Sequence, residues 1–294
     1  MTAQSVRTQS ETALQNVTVL GTGVLGSQIA FQTAFHGHPV VAYDISDDAL
    51  AAAKDRFAKL ADTYRAEVDG GASGGADAAL ARIRLSSDLA DAVKDADLVI
   101  EAVPENPAIK ADTYAKLAAV APEHTVFGTN SSTLLPSTLA PSTGRPAKFL
   151  ALHYANRVWQ HNTAEVMGTE WTDPEVYRRV VEFAESTGMV PIEIKKEKAG
   201  YLLNSLLVPF LQAAGELLVD GIAEPEAIDQ TWRIGTGAPM GPFQIYDVVG
   251  LTTAYNISMM GDAKQQAFAK LIKERYIDQG KLGVATGEGF YQYG

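Results

Sequence analysis

Two hydrophobic rhythms alternate along the first two-thirds of this chain. Residues 17–20 (Val-Thr-Val-Leu) are a short β-rich run that stops at Gly21, and a helical pattern follows from about Leu25 to Phe35, with Gly37 as its cap. Residues 39–44 read as a second strand. An Ala-rich, charge-laced helical stretch then runs from Asp47 to Glu67, a loop holding Gly70, Gly71, Gly74 and Gly75 turns the chain, and a second helix returns. Residues 47–82 therefore predict a helical excursion between strands. Strand-like runs resume at 98–103, 125–128 and 149–153, and continue at 164–167 and 191–194 with a helix between them. Strands alternating with helices of ten or more residues predict a doubly wound, mostly parallel sheet.

After Gly200 the pattern becomes almost wholly helical, broken at Gly235, Gly237, Pro239 and Pro242. Residues 201–219 are the most apolar stretch, but Asn204, Gln212 and Glu216 fall on one i±4 row, so it reads as a buried helix rather than a membrane span. Pro209 removes one helical hydrogen bond and predicts a kink. The broad apolar remainder needs cover from other helices or from a second subunit. The expected organisation is a flexible leader over 1–16, an α/β domain over 17–196 and an all-α domain over 197–294.

The first strand ends in Gly21-Thr22-Gly23-Val24-Leu25-Gly26, a G-x-G-x-x-G that opens a helix. Gly21 allows the tight turn, Gly23 a close approach of the backbone to a pyrophosphate, and Gly26 close packing of helix on strand. The second strand ends in Asp44, 18 residues beyond Gly26, the spacing at which a carboxylate meets a ribose 2′-hydroxyl. The whole unit predicts a Rossmann-type dinucleotide site. An acid at Asp44 repels a 2′-phosphate, which favours NAD over NADP.

Composition narrows the partners. The 294 residues carry 24 Lys+Arg against 35 Asp+Glu, a formal charge of −11, which argues against nucleic acid or an anionic membrane surface as partner. There is no cysteine, hence no thiolate nucleophile or Cys-ligated metal, and a cytoplasmic setting fits. The first 16 residues lack the apolar core of a signal peptide.

Five histidines are available. His36 and His38 flank a helix-ending glycine without a third metal ligand in view, and read as solvent-facing turn residues. His124 reads as structural and His161 as exposed. His153 differs, because it ends a strand, where open α/β sheets place their ligands. Glu165 follows twelve residues later in a run that can return beside the His153 strand. A carboxylate beside an imidazole fixes its tautomer and favours its protonated form, which suits a general acid/base, although a core histidine with a satisfied ring fits the pattern equally.

Six motifs in order give the chain a specific resemblance. They are Glu101-Ala102-Val103-Pro104-Glu105-Asn106, Asn130-Ser131-Ser132-Thr133-Leu134, Leu152-His153-Tyr154-Ala155-Asn156, Gly200-Tyr201-Leu202-Leu203-Asn204, Ala238-Pro239-Met240-Gly241-Pro242-Phe243 and Gly287-Glu288-Gly289-Phe290-Tyr291. With these the chain resembles the L-3-hydroxyacyl-CoA dehydrogenase (3-hydroxybutyryl-CoA dehydrogenase) family along nearly its whole length after residue 16. The resemblance implies an NAD-dependent enzyme of fatty acid metabolism, a homodimer formed through the helical domain, and no catalytic metal. It implies His153 and Glu165 as the catalytic pair, Ser132 and Asn204 as hydrogen-bonding groups at the substrate oxygen, and Glu105 and Lys110 beside the nicotinamide ribose.

Three departures bear on substrate. The family usually continues after Asn156 with Pro-Val-Pro, whereas this chain has Arg157-Val158-Trp159-Gln160-His161-Asn162. The Arg that commonly follows Asn204 is Ser205 here. The helical excursion that meets CoA is often Lys-rich at its far end; here that end reads Tyr64-Arg65-Ala66-Glu67-Val68-Asp69. Lys54, Arg56, Lys59 and Arg65 are the cations left for phosphates, mixed with acids. The expected function is 3-hydroxyacyl-CoA oxidoreduction, with the same hydride transfer on a CoA-free hydroxy acid, ketone or imine as the alternative, and a non-catalytic NAD-binding protein as the contrasting class.

Overall fold

A computed structural model describes residues 13–293. Contacts divide the chain into two compact units, with the division along the sequence after Leu202 where residue 196 was expected. The extra residues belong with the first unit because Tyr201 and Leu202 bond back to it, as described below. Most of the expected leader lies outside the described residues, but its last part is packed. Leu14 is buried, and the Asn16 N–H donates to Asp97 Oδ2 at 2.8 Å.

The first unit is an eight-stranded sheet. Its strands are β1 (Val17–Leu20), β2 (Val40–Tyr43), β3 (Ile83–Ser86), β4 (Leu98–Glu101), β5 (Val126–Thr129), β6 (Phe149–Tyr154), β7 (Thr163–Met167) and β8 (Val190–Ile194), in the spatial order β3-β2-β1-β4-β5-β6-β7-β8. All neighbours are parallel except β6 and β7. Between them run α1 (Val24–Phe35), α2 (Asp47–Glu67), α3 (Ala76–Arg82), α4 (Leu89–Val93), α5 (Pro107–Val120), α6 (Pro136–Leu139) and α7 (Pro174–Ser186). Helix starts follow local chemistry: Ser46 caps α2 through its side chain, and Asn106 and Asp173 cap α5 and α7, each with proline at the first helical position.

The central strands are buried on both faces, as parallel strands under helices must be. Val17 and Val19 of β1 point into one core with Ile29, Phe31 and Tyr64, while Leu20 points into the opposite core with Tyr114, Phe127 and Phe149. The first unit holds short elements that the sequence reading left out, among them β3 and α4. β3 is a four-residue edge strand with Arg84 at its centre, so only Ile83 and Leu85 carry apolar signal.

The second unit is all-helical: α8 (Leu203–Val219), α9 (Pro225–Thr236), α10 (Pro242–Val249), α11 (Leu251–Met259) and α12 (Ala263–Arg275). Leu211, Leu218, Phe243, Tyr246, Phe268 and Ile272 form its core. Two buried aspartates organise it, since Asp229 caps α10 through Phe243 and Gln244 and Asp247 accepts the Phe290 and Tyr291 N–H groups. Among the described residues no helix is long and apolar enough to cross a membrane.

Candidate active site

The Gly-rich loop follows β1, which lies between β2 and β4, the point where the strand order reverses. Open α/β sheets bind ligands there. Gly21 takes φ +93°, and a Cβ on it would lie 2.6 Å from the Ala102 carbonyl oxygen, so only glycine fits. A Cβ on Gly26 would collide with the Gly21 carbonyl oxygen. Gly23 is the opposite case: nothing stands within 4 Å of the Cβ position, and no side chain caps α1 there. The first-turn N–H groups of α1, starting at Val24 and Leu25, are left for an anion.

Asp44 stands beside this loop. Its Oδ2 accepts the Thr22 N–H at 2.8 Å and the Thr22 hydroxyl at 2.6 Å, and its Oδ1 accepts the Ile45 N–H at 2.9 Å. The carboxylate is fixed in orientation with lone pairs to spare. An open glycine cradle on a helix start, with a fixed carboxylate beside it, fits a dinucleotide.

His153 and Glu165 face each other directly across the antiparallel β6–β7 ladder. Both are buried, and the His153 Nδ1 lies 2.9 Å from Glu165 Oε2. A carboxylate only accepts, so Nδ1 carries the proton and Nε2 presents a lone pair. That lone pair meets the Ser132 hydroxyl at 3.1 Å. The other Glu165 oxygen accepts the Leu202 N–H at 2.9 Å.

Two groups that the sequence reading did not single out support this line. Tyr201 lies over the imidazole, with ring centroids 4.4 Å apart and planes 14° from parallel. Glu101, wholly buried at the end of β4, collects four donors: Lys110 Nζ (2.6 Å), the Val103 N–H (2.9 Å), and the hydroxyls of Thr129 (2.8 Å) and Tyr114 (3.1 Å). Lys110 also reaches Glu105 at 3.3 Å. Glu105 in turn accepts from the Ser131 hydroxyl (2.6 Å) and from the N–H (2.9 Å) and hydroxyl (2.7 Å) of Thr133. Burial works to raise the Glu105 pKa, but these donors and the Lys110 charge outweigh it and hold the carboxyl down at about 2. Thus Glu105 and Lys110 brace the loop that carries Ser132.

The four α2 cations do not form one patch. At 3.6 residues per turn, Lys54 and Arg65 fall on one side of α2, and Arg56 and Lys59 on the other. Arg65 pairs with Asp62 and Asp77 at 2.6 and 2.7 Å, and Arg56 donates to the Thr22 carbonyl at 3.1 Å, bracing the Gly-rich loop. Lys54 and Lys59 are exposed. Asn204 lies in α8, in the second unit.

The 157–162 segment docks on the end of α2. Trp159 Nε1 and Gln160 Nε2 both donate to Glu67 Oε2, at 2.7 and 2.6 Å. Arg157 takes a left-handed φ of +61° there, and Val158 is buried. His38 is not solvent-facing as its turn position suggested. It is buried between the Gln15 carbonyl (3.2 Å) and the Ser186 hydroxyl (3.0 Å), and burial pushes its pKa down. Among the described residues no group of His, Asp and Glu side chains has the arrangement of a metal site.

Residues 16–198 match the NAD-binding domain of 3-hydroxyacyl-CoA dehydrogenase, and residues 200–293 match the C-terminal domain of the same family. Mitochondrial hydroxyacyl-coenzyme A dehydrogenase of Sus scrofa is 36% identical over 293 residues, covering 95% of this chain and 91% of that protein. The structure of (S)-3-hydroxybutyryl-CoA dehydrogenase from Ralstonia eutropha superposes with a TM-score of 0.82 at 29% identity, covering 96% of this chain and all of that one. A diketoreductase structure, described as catalysing reactions of dicarbonyl compounds, is 70% identical with a TM-score of 0.94, covering 96% of this chain and all of that one. The chain belongs to the 3-hydroxyacyl-CoA dehydrogenase family and is an NAD-dependent oxidoreductase acting on CH–OH groups.

Proposed function

We propose that this enzyme interconverts a secondary alcohol and a ketone through His153 as general acid/base, and that its preferred substrates are compact dicarbonyl compounds and their hydroxyketone products. The observation that carries the chemistry is the line Glu165–His153–Ser132, in which the buried carboxylate–imidazole pair directs Nε2 at the half-buried Ser132 hydroxyl. When bound, NAD supplies the hydride acceptor or donor. In the oxidising direction His153 Nε2 takes the hydroxyl proton, and in the reducing direction it returns that proton to the carbonyl oxygen. Ser132 donates a hydrogen bond to the same oxygen as its charge grows, a role that the family resemblance also implies for Asn204. Glu165 stabilises the imidazolium without accepting its proton.

Gly21, Gly23, Val24, Leu25 and Gly26 hold the pyrophosphate, Asp44 the adenosine ribose, and Glu105 and Lys110 the nicotinamide side. NADH is therefore preferred over NADPH, and Asp44→Ser is expected to narrow that preference in initial rates at low cofactor concentration. A wild-type enzyme faster with NADPH would refute the role of Asp44. Pairing of two copies through the second unit completes the proposal. Leu206, Ile234 and Met260 are each 75% or more exposed there, a large apolar surface to leave in water.

The preference for a CoA-free substrate rests on the divided, partly engaged α2 cations and on the 70% identical diketoreductase. Acyl-CoA is the second reading, favoured by family matches over both units. Initial rates with acetoacetyl-CoA and with small 1,3-diketones decide between them. The expected result is a higher kcat/KM for the diketone, and a KM for acetoacetyl-CoA that ignores ionic strength. Phosphate contacts with exposed lysines would instead raise that KM with salt, because the Debye length shrinks from about 10 Å at 0.1 M to about 3 Å at 1 M. A salt-sensitive, strongly preferred acetoacetyl-CoA would establish the second reading, and charge reversal at Lys59 would then raise KM further.

A further inference from the structure

We propose that Tyr201 is a positioning residue for proton transfer, holding the His153 imidazole and the Ser132 loop in one fixed arrangement. The proposal rests on His153 being the acid/base group. Four contacts converge on this turn. The phenol ring covers one face of the imidazole, 4.4 Å between centroids and 14° from parallel. Its hydroxyl donates to the Ser131 carbonyl oxygen at 2.7 Å, in the peptide unit just before Ser132. The Tyr201 N–H donates to the Lys198 carbonyl at 3.0 Å, and the next N–H, on Leu202, donates to Glu165 at 2.9 Å. One turn thereby touches the imidazole, the carboxylate that orients it and the loop carrying the hydroxyl opposite it.

The backbone shows that this arrangement is held against resistance. Tyr201 has φ +52°, directly after Gly200 at +79°. A bulky L-residue adopts the left-handed region at a free-energy cost and persists there only where its surroundings over-determine it, a condition met most often at functional sites. The ring is wholly buried, and burial, with the nearby carboxylates Glu105 and Glu165, keeps the phenol protonated and therefore a donor.

The ring has a chemical use as well. When Nε2 takes a proton the imidazole becomes a cation beneath an electron-rich aromatic face, which attracts it. The stack also blocks rotation that would turn Nε2 away from the substrate oxygen, and small misplacements of a catalytic group are costly.

Three variants measured together test this: Tyr201→Phe, Tyr201→Met and His153→Gln. Tyr201→Phe keeps the ring and loses the bond to Ser131, so kcat should fall about three- to tenfold at unchanged Kd for NADH. Tyr201→Met fills similar volume without a π-face, and kcat should fall about tenfold further, again with Kd for NADH and substrate KM nearly unchanged. The partial rescue by Phe over Met identifies the ring as the agent. Wild-type kcat in a folded Met variant, or equal losses in Met and Phe, overturns the proposal. Should the Met variant not fold, the Phe variant decides, since unchanged kcat there overturns the clamp on Ser131. If His153→Gln retains turnover, the acid/base reading itself fails; if it loses turnover while both Tyr201 variants match wild type, only the role of Tyr201 falls.

Discussion

Replacing His153 by Gln is expected to lower kcat by about 10²- to 10⁴-fold, the usual contribution of a positioned acid/base, while Kd for NADH stays near the wild-type value. The imidazole is the middle member of the line from Glu165 to Ser132, with its Nε2 on the Ser132 side. An amide nitrogen in its place still donates to Glu165 but cannot take a proton from an alcohol. Ala would be a less clean probe, because buried Glu165 would lose the donor at Oε2 and keep the Leu202 N–H on its other oxygen. Stopped-flow rates with saturating cofactor separate proton transfer from binding. A Gln variant with near-native kcat would remove His153 from the mechanism.

The second large effect concerns stability. Lys110→Met is expected to cost about 3–5 kcal/mol, because it strips the opposite charge from a carboxylate that water cannot reach. Glu101 is 0% exposed and Lys110 1%, at 2.6 Å. The remaining donors to Glu101 are neutral, namely one N–H and two hydroxyls. The double variant Glu101→Gln with Lys110→Met removes both charges and should recover most of the loss in urea denaturation. A single variant within about 1 kcal/mol of wild type would show that the pair contributes little beyond its own desolvation. Because Lys110 also braces Glu105, the single variant should lose turnover too, with the Ser132 loop released.

Much of this organisation is legible in the amino-acid order because its signals are local. The bounds of α2 follow from apolar periodicity, a serine cap and the glycines beyond it. The Gly-rich loop and Asp44 are spaced by one strand–helix–strand unit, and His153 with Glu165 fall on strands joined by a short connection. What stayed hidden depends on partners far away in sequence. Tyr201 reads as one more aromatic in an apolar run, since its hydroxyl bonds to Ser131, 70 residues upstream. Glu101 reads as the end of a strand, and its convergence with Lys110, Tyr114 and Thr129 forms only when α5 and β5 pack beside β4. His38 owes its burial to Gln15 and Ser186, on segments distant from its turn. Lys54, Arg56, Lys59 and Arg65 look like a cluster along the chain, and only the helical twist divides them.

The β6–β7 hairpin has an evolutionary consequence. The imidazole of His153 and its carboxylate partner are set by ladder register, and the residues that join the strands contribute neither of them. Replacements between Tyr154 and Thr163 leave the pairing of His153 with Glu165 to the strands, whereas a one-residue slip within either strand would turn that strand's member of the pair to the opposite face, away from its partner. The buried pair and the segment that joins its strands are therefore inherited separately. A lineage can exchange Arg157-Val158-Trp159-Gln160 for another sequence, with an apolar anchor at the Val158 position, without rebuilding the pair of His153 and Glu165. The same separability makes this short hairpin connection a stretch that can be varied while the pair is kept.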